Sequence, residues 1–123
     1  MRSGHTPDGT RPTFPREVRL RRSVDFRRVQ SRGRRARTRH LLVLYTRGRG
    51  DRTRFGLVVS RKVGNAVTRN RVKRWLREAI RRNRWRVSGC WDLAIIASPR
   101  AATAGLAAIT DELITVFERL GAR

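Results

Sequence analysis

The sequence predicts an α+β sandwich in which helices pack over one small sheet. Two apolar runs of strand length flank a glycine-containing turn, which predicts a pair of strands early in the chain. A third strand-like run lies later, between two segments whose apolar residues recur at helical spacing. With a short helix before the first strand, the predicted order is helix, hairpin, helix, strand, helix. The 123 residues suffice for one domain with one modest core.

The N-terminal part begins with a predicted tail and a short helix. Residues 1–17 hold all but one of the prolines and lack apolar periodicity. We therefore expect a flexible basic tail there, followed by a folded domain over residues 18–121. Ser23 is the expected N-cap of the first helix, and Gly33 marks its expected end. The arginine-rich run 32–39 that follows is either a solvated linker or a nucleic-acid contact.

The remaining elements are predicted from apolar runs and turn signals. Residues 41–45 and 55–60 are β-type runs, and the Gly-Arg-Gly-Asp sequence between them predicts a hairpin. An earlier start of the first strand, at about Ala36, is open. Residues 91–97 form the third predicted strand, and residues 103–120 form the last predicted helix.

The segment 60–80 organises the chain because it leads from a strand, through a glycine turn, into an amphipathic helix. Asn65 or Thr68 is the expected N-cap, accepting a backbone N–H. The apolar positions follow the spacing of a core-facing helix, and they are Val72, Trp75, Leu76, Ala79 and Ile80. The opposite face carries Asn70, Lys73, Arg74, Arg77 and Arg81. Because like charges one turn apart repel, we interpret this face as a polyanion-binding surface.

The overall charge also indicates an anionic partner. Lys and Arg number 31 against nine acids, which gives a formal net charge of +22. Nucleic acid is the first candidate partner and an anionic membrane the second. No apolar run approaches the roughly 20 residues of a spanning helix, and no apolar signal-peptide core opens the chain. We therefore expect a cytoplasmic protein without a membrane partner.

Residues suited to catalysis or metal binding are few and scattered. The nine acids form no recognisable acid–base or two-metal pair. His5 and His40 have no third ligand at metal spacing, and Cys90 is the only cysteine, which excludes an internal disulfide. We expect no catalytic residue, no protein-bound metal and no small-molecule substrate. If the chain belongs to an enzyme, another component carries the reaction.

Aromatic side chains near basic residues form a second candidate surface. Phe26, Tyr45 and Phe55 either stack on unpaired bases or fill the core, and the sequence leaves both open. Alternation along the first strand puts Val43 and Tyr45 on one face of the sheet and Leu42 on the other. One sheet face is thus expected to be core and the other an apolar groove.

Residues 61–74 read Arg-Lys-Val-Gly-Asn-Ala-Val-Thr-Arg-Asn-Arg-Val-Lys-Arg. This stretch resembles the signature of the bacterial ribonuclease P protein component, including its Arg-Asn-Arg helix. Residues 19–26, 43–45 and 92–97 resemble that family's opening helix, first strand and last strand. The resemblance covers about residues 19–120.

The resemblance implies a fold and a role. The fold is of α-β-β-β-α-β-α order, with a left-handed crossover at the basic helix. The role is that of the protein subunit of ribonuclease P, an endonuclease that removes the 5′ leader of precursor tRNA. The implied partners are the ribonuclease P RNA and precursor tRNA. The RNA subunit performs the hydrolysis with Mg²⁺ that is held mainly by RNA.

The resemblance also implies three groups of site residues. The RNA-facing helix is matched by Arg69, Asn70, Arg71, Lys73, Arg74 and Arg77. The turn before it is matched by Arg61, Lys62 and Asn65, and the cleft that receives the leader by Phe26, Val43 and Tyr45. Two positions depart from the family pattern: Gln30 replaces a second aromatic residue, and Val58 replaces a small polar residue.

Three other functions remain as rivals to this interpretation. A non-catalytic RNA-binding structural protein, such as a ribosomal protein, shares the charge and the scarcity of catalytic residues, but not the motif. A self-sufficient metal-dependent nuclease needs clustered carboxylates. A DNA-binding helix is the third alternative.

Overall fold

The computed structural model describes residues 18–121. They form a sheet of four strands with helices on both faces. The predicted tail, residues 1–17, lies outside them. In chain order the elements are α1 Ser23–Arg32, β1 Arg34–Arg37, β2 Leu41–Arg47, β3 Arg54–Val58, α2 Ala66–Asn83, β4 Trp91–Ala97 and α3 Gly105–Gly121. The α+β class and the α-β-β-β-α-β-α order are confirmed.

The strands lie in the order β1-β2-β4-β3. β2 pairs antiparallel with β1 and β4, whereas β3 runs parallel to β4. A parallel neighbour requires a crossover connection, and α2 provides it between β3 and β4. β4 lies inside the sheet because its residues 92–95 are buried on both faces.

One prediction about the early strands is wrong, and one of two open alternatives is excluded. The runs 41–45 and 55–60 do not form a hairpin, because the doubly buried β4 lies between the two strands. The hairpin that does form joins β1 to β2, and the Thr38 N–H donates to the carbonyl of Leu41 at 2.8 Å in its turn. The run 32–39 is not a linker, since it contains β1. This edge strand buries only Ala36 and leaves its arginines exposed, as edge strands tolerate.

The helix ends agree with the predicted ones except at two positions, the start of α1 and the start of α3. Gly33 follows α1 as predicted, but the N-cap position is Arg22, without a side-chain cap bond, and not Ser23. Asn65 is the N-cap of α2, because its Oδ1 accepts the Thr68 N–H at 2.9 Å. The last helix begins at Gly105, two residues later than predicted, since residues 99–103 form a 3₁₀ turn instead.

The helices divide the protein into three layers. α2 and α3 cover one face of the sheet and enclose the main core, which includes Val43, Phe55 and Phe117. The rings of Phe55 and Phe117 are 5.6 Å apart. α1 covers the other face over a smaller cluster of Leu20, Val29, Leu44 and Ala94, against which Phe26, Leu42 and Ile96 pack. Within residues 18–121 no helix has both the length and the apolar character to cross a bilayer.

Two contacts join α1 and the segment before it to β3. The ring of Phe26 lies directly on Gly56, where a Cβ atom would be 2.4 Å from the ring's Cζ. Only glycine permits this approach without displacement of the ring. The N–H of Leu20 donates to the carbonyl of Phe55 at 2.8 Å, so the segment before α1 covers the outer edge of β3.

Candidate nucleic-acid interface

α2 has one buried face and one cationic face, as its sequence predicts. Val72, Leu76, Ala79 and Ile80 are fully buried. Trp75 is half-buried and packs against the same core. The helix is therefore held by its apolar side, and the opposite side faces solvent.

Six predicted residues of this surface make no side-chain hydrogen bond or ion pair within residues 18–121, and they are Arg61, Lys62, Asn70, Lys73, Arg74 and Arg77. Five are exposed and Lys73 is half-buried. The first turn of α2 contains no acid, so its positive dipole end adds to the side-chain charges. We call these six residues the open set. Within residues 18–121 its five cations have no counterion, so they are available to an external anion.

The other three predicted residues contact the protein itself. Asn65 uses its side-chain oxygen as the N-cap of α2. Arg69 donates from Nη1 to the carbonyl of Gly64 at 2.9 Å, across the turn that precedes the helix. Arg71 donates to the carbonyl of Ala102 at 3.4 Å, and its guanidinium lies 5.6 Å from the centre of the Trp75 ring. Each of these side chains has a structural partner besides any role in binding.

Glu78 neutralises only the C-terminal end of the helix. Its carboxylate accepts hydrogen bonds or ion pairs from Arg81 at 2.9 Å and from Arg82 at 2.5 Å. The hydrogen bond from Arg81 is the main cause that lowers the pKa of Glu78 below its ordinary value. Arg74 lies one turn before Glu78 but forms no ion pair with it, which leaves Arg74 in the open set.

The three residues expected to form a leader cleft do not lie together, so that expectation is wrong. Val43 is fully buried in the main core, and Tyr45 lies on the same face of β2. Phe26 packs on the opposite face, against the α1-side cluster. Strand alternation separates them, because residues 43 and 45 point away from α1. Val43 has no exposed surface to offer to any ligand.

A half-exposed apolar surface does occur on the α1 side of the sheet. Phe26, Leu42 and Ile96 are half-buried there, and Val58 lies on the same face because it pairs with Ile96. The exposed Arg37 of β1 pairs with Leu42 and shares this face. We call these five residues the α1-side groove. Period-two alternation in residues 41–45 already separates Leu42 from Val43 and Tyr45, so that signal was present in the sequence.

Tyr45 belongs to a different cluster, near one end of the sheet. Its ring meets that of Trp91 edge-on, with centres 5.8 Å apart. The guanidinium of Arg47 lies 4.9 Å from the centre of the Trp91 ring. This stack packs against the main core, so Tyr45 has a structural role on the side away from α1.

Beneath α1 lies an ion-pair network that was not predicted from the sequence. Asp92 of β4 is fully buried and contacts both Arg28 of α1 and Arg54 of β3. Arg54 donates to both oxygens of Asp92, at 3.1 Å from Nε and 2.9 Å from Nη2. These bonds are the main cause that raises the pKa of Arg54 above its ordinary value. Asp25 of α1 adds a 3.4 Å contact to Arg54, so the network ties α1 to two strands.

A second polar cluster joins α3 to the β1–β2 turn. Glu112 accepts hydrogen bonds from the Thr38 hydroxyl at 2.5 Å and from the His40 N–H at 3.0 Å. Its other oxygen lies 2.5 Å from Nδ1 of His40. Burial raises the pKa of Glu112, but the bonds from Thr38 and His40 outweigh burial and lower it overall. Within residues 18–121 no group of three His, Cys, Asp or Glu side chains is placed to hold a metal ion.

The family model described as Ribonuclease P matches residues 14–121. The chain belongs to this family. A curated relative, the ribonuclease P protein component of Desulfovibrio desulfuricans, is 43% identical over 111 residues, which span 87% of this chain and 85% of the relative. The ribonuclease P protein component of Desulforapulum autotrophicum is 38% identical over 108 residues, spanning 88% and 92%.

Solved structures of ribonuclease P proteins share the fold. The Thermotoga maritima protein superposes with a TM-score of 0.74 at 30% identity, covering 82% of this chain and 96% of that one. The Staphylococcus aureus protein gives a TM-score of 0.73 at 30% identity, covering 80% and 91%. Family membership agrees with the motif in residues 61–74, which contains much of the open set.

Proposed function

We propose that this chain is the protein subunit of ribonuclease P and that it binds the catalytic RNA through the outer face of α2. The observation that carries this proposal is the open set, because its cations are exposed or half-exposed and have no counterion in the described part of the chain. Each phosphate that such a cation neutralises releases counterions. Affinity for RNA therefore falls with salt, by about 0.7 to 0.9 log units per log unit of salt for each contact.

The division of labour follows from the resemblance and from the composition of the site. The RNA subunit carries the hydrolysis, and the Mg²⁺ ions that it needs are held mainly by RNA phosphates. The protein's part is to hold RNA strands in place and to offset phosphate repulsion. Such positioning accelerates a reaction because reactants are already aligned when the chemical step begins.

The 5′ leader of precursor tRNA binds, in our proposal, along the α1-side groove. The half-buried Phe26 ring offers a surface on which an unpaired base can stack, and Leu42 and Ile96 extend the apolar surface. The exposed Arg37 on the same face supplies a cation for a leader phosphate. Of the three predicted leader residues, this assignment retains Phe26 and leaves out Val43 and Tyr45.

Reconstitution tests the main proposal. The purified full chain is mixed with a bacterial ribonuclease P RNA and precursor tRNA at low Mg²⁺, and release of the leader is followed over time. We expect the protein to restore cleavage that the RNA alone does not support. Cleavage unaffected by the protein contradicts the proposal and favours a structural RNA-binding protein. Cleavage by the protein without RNA favours the self-sufficient nuclease.

The leader assignment has a separate test. Relative affinities for leader-bearing and leaderless tRNA are measured in the reconstituted complex with Phe26→Leu, which keeps apolar volume but removes the ring. We expect reduced preference for the leader-bearing form. Tyr45→Leu, on the opposite face of the sheet, is the matched control. A loss of preference in the control alone would overturn the placement of the leader on the α1 side.

A further inference from the structure

Trp85 is an exposed aromatic residue at the C-terminal end of the basic helix. It lies in the 3₁₀ turn Arg84–Arg86 that follows α2, and it is 71% exposed. The other two tryptophans, Trp75 and Trp91, are half-buried and pack against the main core. Packing within residues 18–121 therefore accounts for those two rings, but not for that of Trp85.

The ring of Trp85 is held in place although it is exposed. Its Nε1–H donates to the carbonyl of Arg82 at 2.9 Å. The guanidinium of Arg86 lies 4.6 Å from the ring centre. These contacts orient the indole and leave most of its surface open. A base that stacks on an oriented ring loses less entropy than one that must first order a free side chain.

The charges around Trp85 favour a polyanion as the partner. Residues 77–86 contain five arginines and a single acid, Glu78. Glu78 pairs with Arg81 and Arg82, and Glu118 of α3 pairs with Arg86 at 2.9 Å. After these pairs the surroundings still carry excess positive charge, because the Arg84 side chain has no hydrogen bond or ion pair within residues 18–121.

We propose that Trp85 is a stacking site for an unpaired nucleotide of a bound RNA, with Arg84 contacting a flanking phosphate. An aromatic face stacks on any base, and neighbouring cations bind the backbone. Trp85 follows Arg74 by eleven positions, or about 16 Å at the helical rise of 1.5 Å per residue. One RNA segment along α2 can therefore reach both residues. The inference rests on the proposed RNA-binding function and adds a base contact to its phosphate contacts.

Two substitutions separate the effect of the aromatic ring from the effect of its hydrogen bond. Trp85→Ala and Trp85→Phe both remove the bond from Nε1 to Arg82, but only the phenylalanine keeps an aromatic face. The probe is a short single-stranded oligouridine that carries one 2-aminopurine, whose fluorescence falls when it stacks. Binding to the full-length chain is measured by fluorescence anisotropy, and stacking by the quenching at saturation.

We expect Trp85→Ala to weaken binding by about 5- to 150-fold and to reduce the quenching. Trp85→Phe should retain most of both. The salt dependence should not change in either variant, because no charge is removed. Equal losses in the two variants, or no loss in either, overturn the inference. A change of self-association alone in Trp85→Ala, seen by sedimentation, also overturns it and indicates a protein partner.

A third variant separates this inference from the proposed function. Arg74→Ala should lower both the affinity for the oligouridine and the slope of its salt dependence. If Arg74→Ala does so while Trp85→Ala has no effect, the stacking site is refuted and the RNA-binding function stands. If the wild-type chain does not bind the oligouridine or a ribonuclease P RNA, both proposals fail.

Discussion

Arginines have opposite roles in two regions of this protein. Beneath α1, Arg28 and Arg54 meet the carboxylates of Asp25 and Asp92 and hold the helix to the sheet. On the outer face of α2, Arg74 and Arg77 are exposed and have no carboxylate partner within residues 18–121. The residue type is the same, and the position of the acids makes the difference.

The comparison teaches where to look for function in a chain with so many cations. An arginine that is paired with a buried carboxylate serves the fold, because an unpaired buried charge is costly. An exposed arginine with no counterion is available to a partner, since neighbouring like charges destabilise the free protein. The presence or absence of a carboxylate partner within the protein therefore distinguishes the two roles better than charge does.

The strongest test of the first region removes its central acid. Asp92→Ala leaves the half-buried guanidinium groups of Arg28 and Arg54 without their main carboxylate. We expect the free energy of unfolding to fall by about 3 to 5 kcal/mol, measured by urea denaturation. Asp111→Ala is the control, because Asp111 is exposed on α3, and it should change stability by no more than about 0.5 kcal/mol. Similar losses in the two variants would remove the distinction between the regions.

A second test concerns the acid that holds α3 to the β1–β2 turn. Glu112→Gln should lower the free energy of unfolding at neutral pH by about 1.5 to 3 kcal/mol, because it removes hydrogen bonds to a charged acceptor. Glu118→Gln is the control, since that side chain is 59% exposed and its ion pair contributes little.

The stabilisation that Glu112 provides depends on pH, and the sign of this dependence follows from the lowered pKa of Glu112. A lowered folded-state pKa stabilises the protein above the unfolded-state value, near 4.5, and the stabilisation is lost as pH falls through the folded-state pKa. The difference between wild type and Glu112→Gln should therefore be largest at neutral pH and shrink in acid. A difference that grows as pH falls would contradict this account.

Asn65 tests whether a predicted RNA contact also serves the fold. Asn65→Ala removes the N-cap of α2 and should cost about 1 kcal/mol of stability in thermal or urea unfolding. Asn65→Ser retains a capping oxygen and should recover most of that loss. If serine and alanine are equally destabilising, the cap does not explain the residue.

The smallest expected effect on stability belongs to the open set. Arg74→Ala and Arg77→Ala should change the free energy of unfolding by no more than about 0.5 kcal/mol, because both side chains are exposed and unpaired within residues 18–121. Each should nevertheless lower the slope of the salt dependence of RNA binding by about 0.7 to 0.9. Loss of folding with an unchanged slope would assign these arginines to the first role.

The local elements were largely predictable from the sequence, and their pairing was not. Helical spacing in α2 and the apolar run of β4 have local causes, so both were found close to their true bounds. The partner of β3 depends on which strand is buried on both faces, and that is decided by the whole sheet. The hairpin prediction was wrong for this reason.

The candidate site divides in the same way. The outward direction of Arg74 and Arg77 follows from helix geometry alone, and the structure agrees with it. The pairing of Asp25 and Asp92 with Arg54 joins three elements far apart in the chain, and no local pattern reveals it. For Phe26, Val43 and Tyr45 the family resemblance suggested one cleft, although strand alternation already indicated two faces.

Because Gly56 has no side chain, the packing of the Phe26 ring and the ion pairs beneath α1 depend on each other. Because the Phe26 ring occupies the space of a missing side chain, α1 can approach the sheet closely enough for Asp25 to reach Arg54 and for Arg28 to reach Asp92. A methyl group at position 56 would lift the ring and, with it, the helix that carries both charged residues. Seating of α1 is thus expected to be all-or-none, so that the ring packing and the ion pairs break together and the adjoining groove is reshaped at the same time.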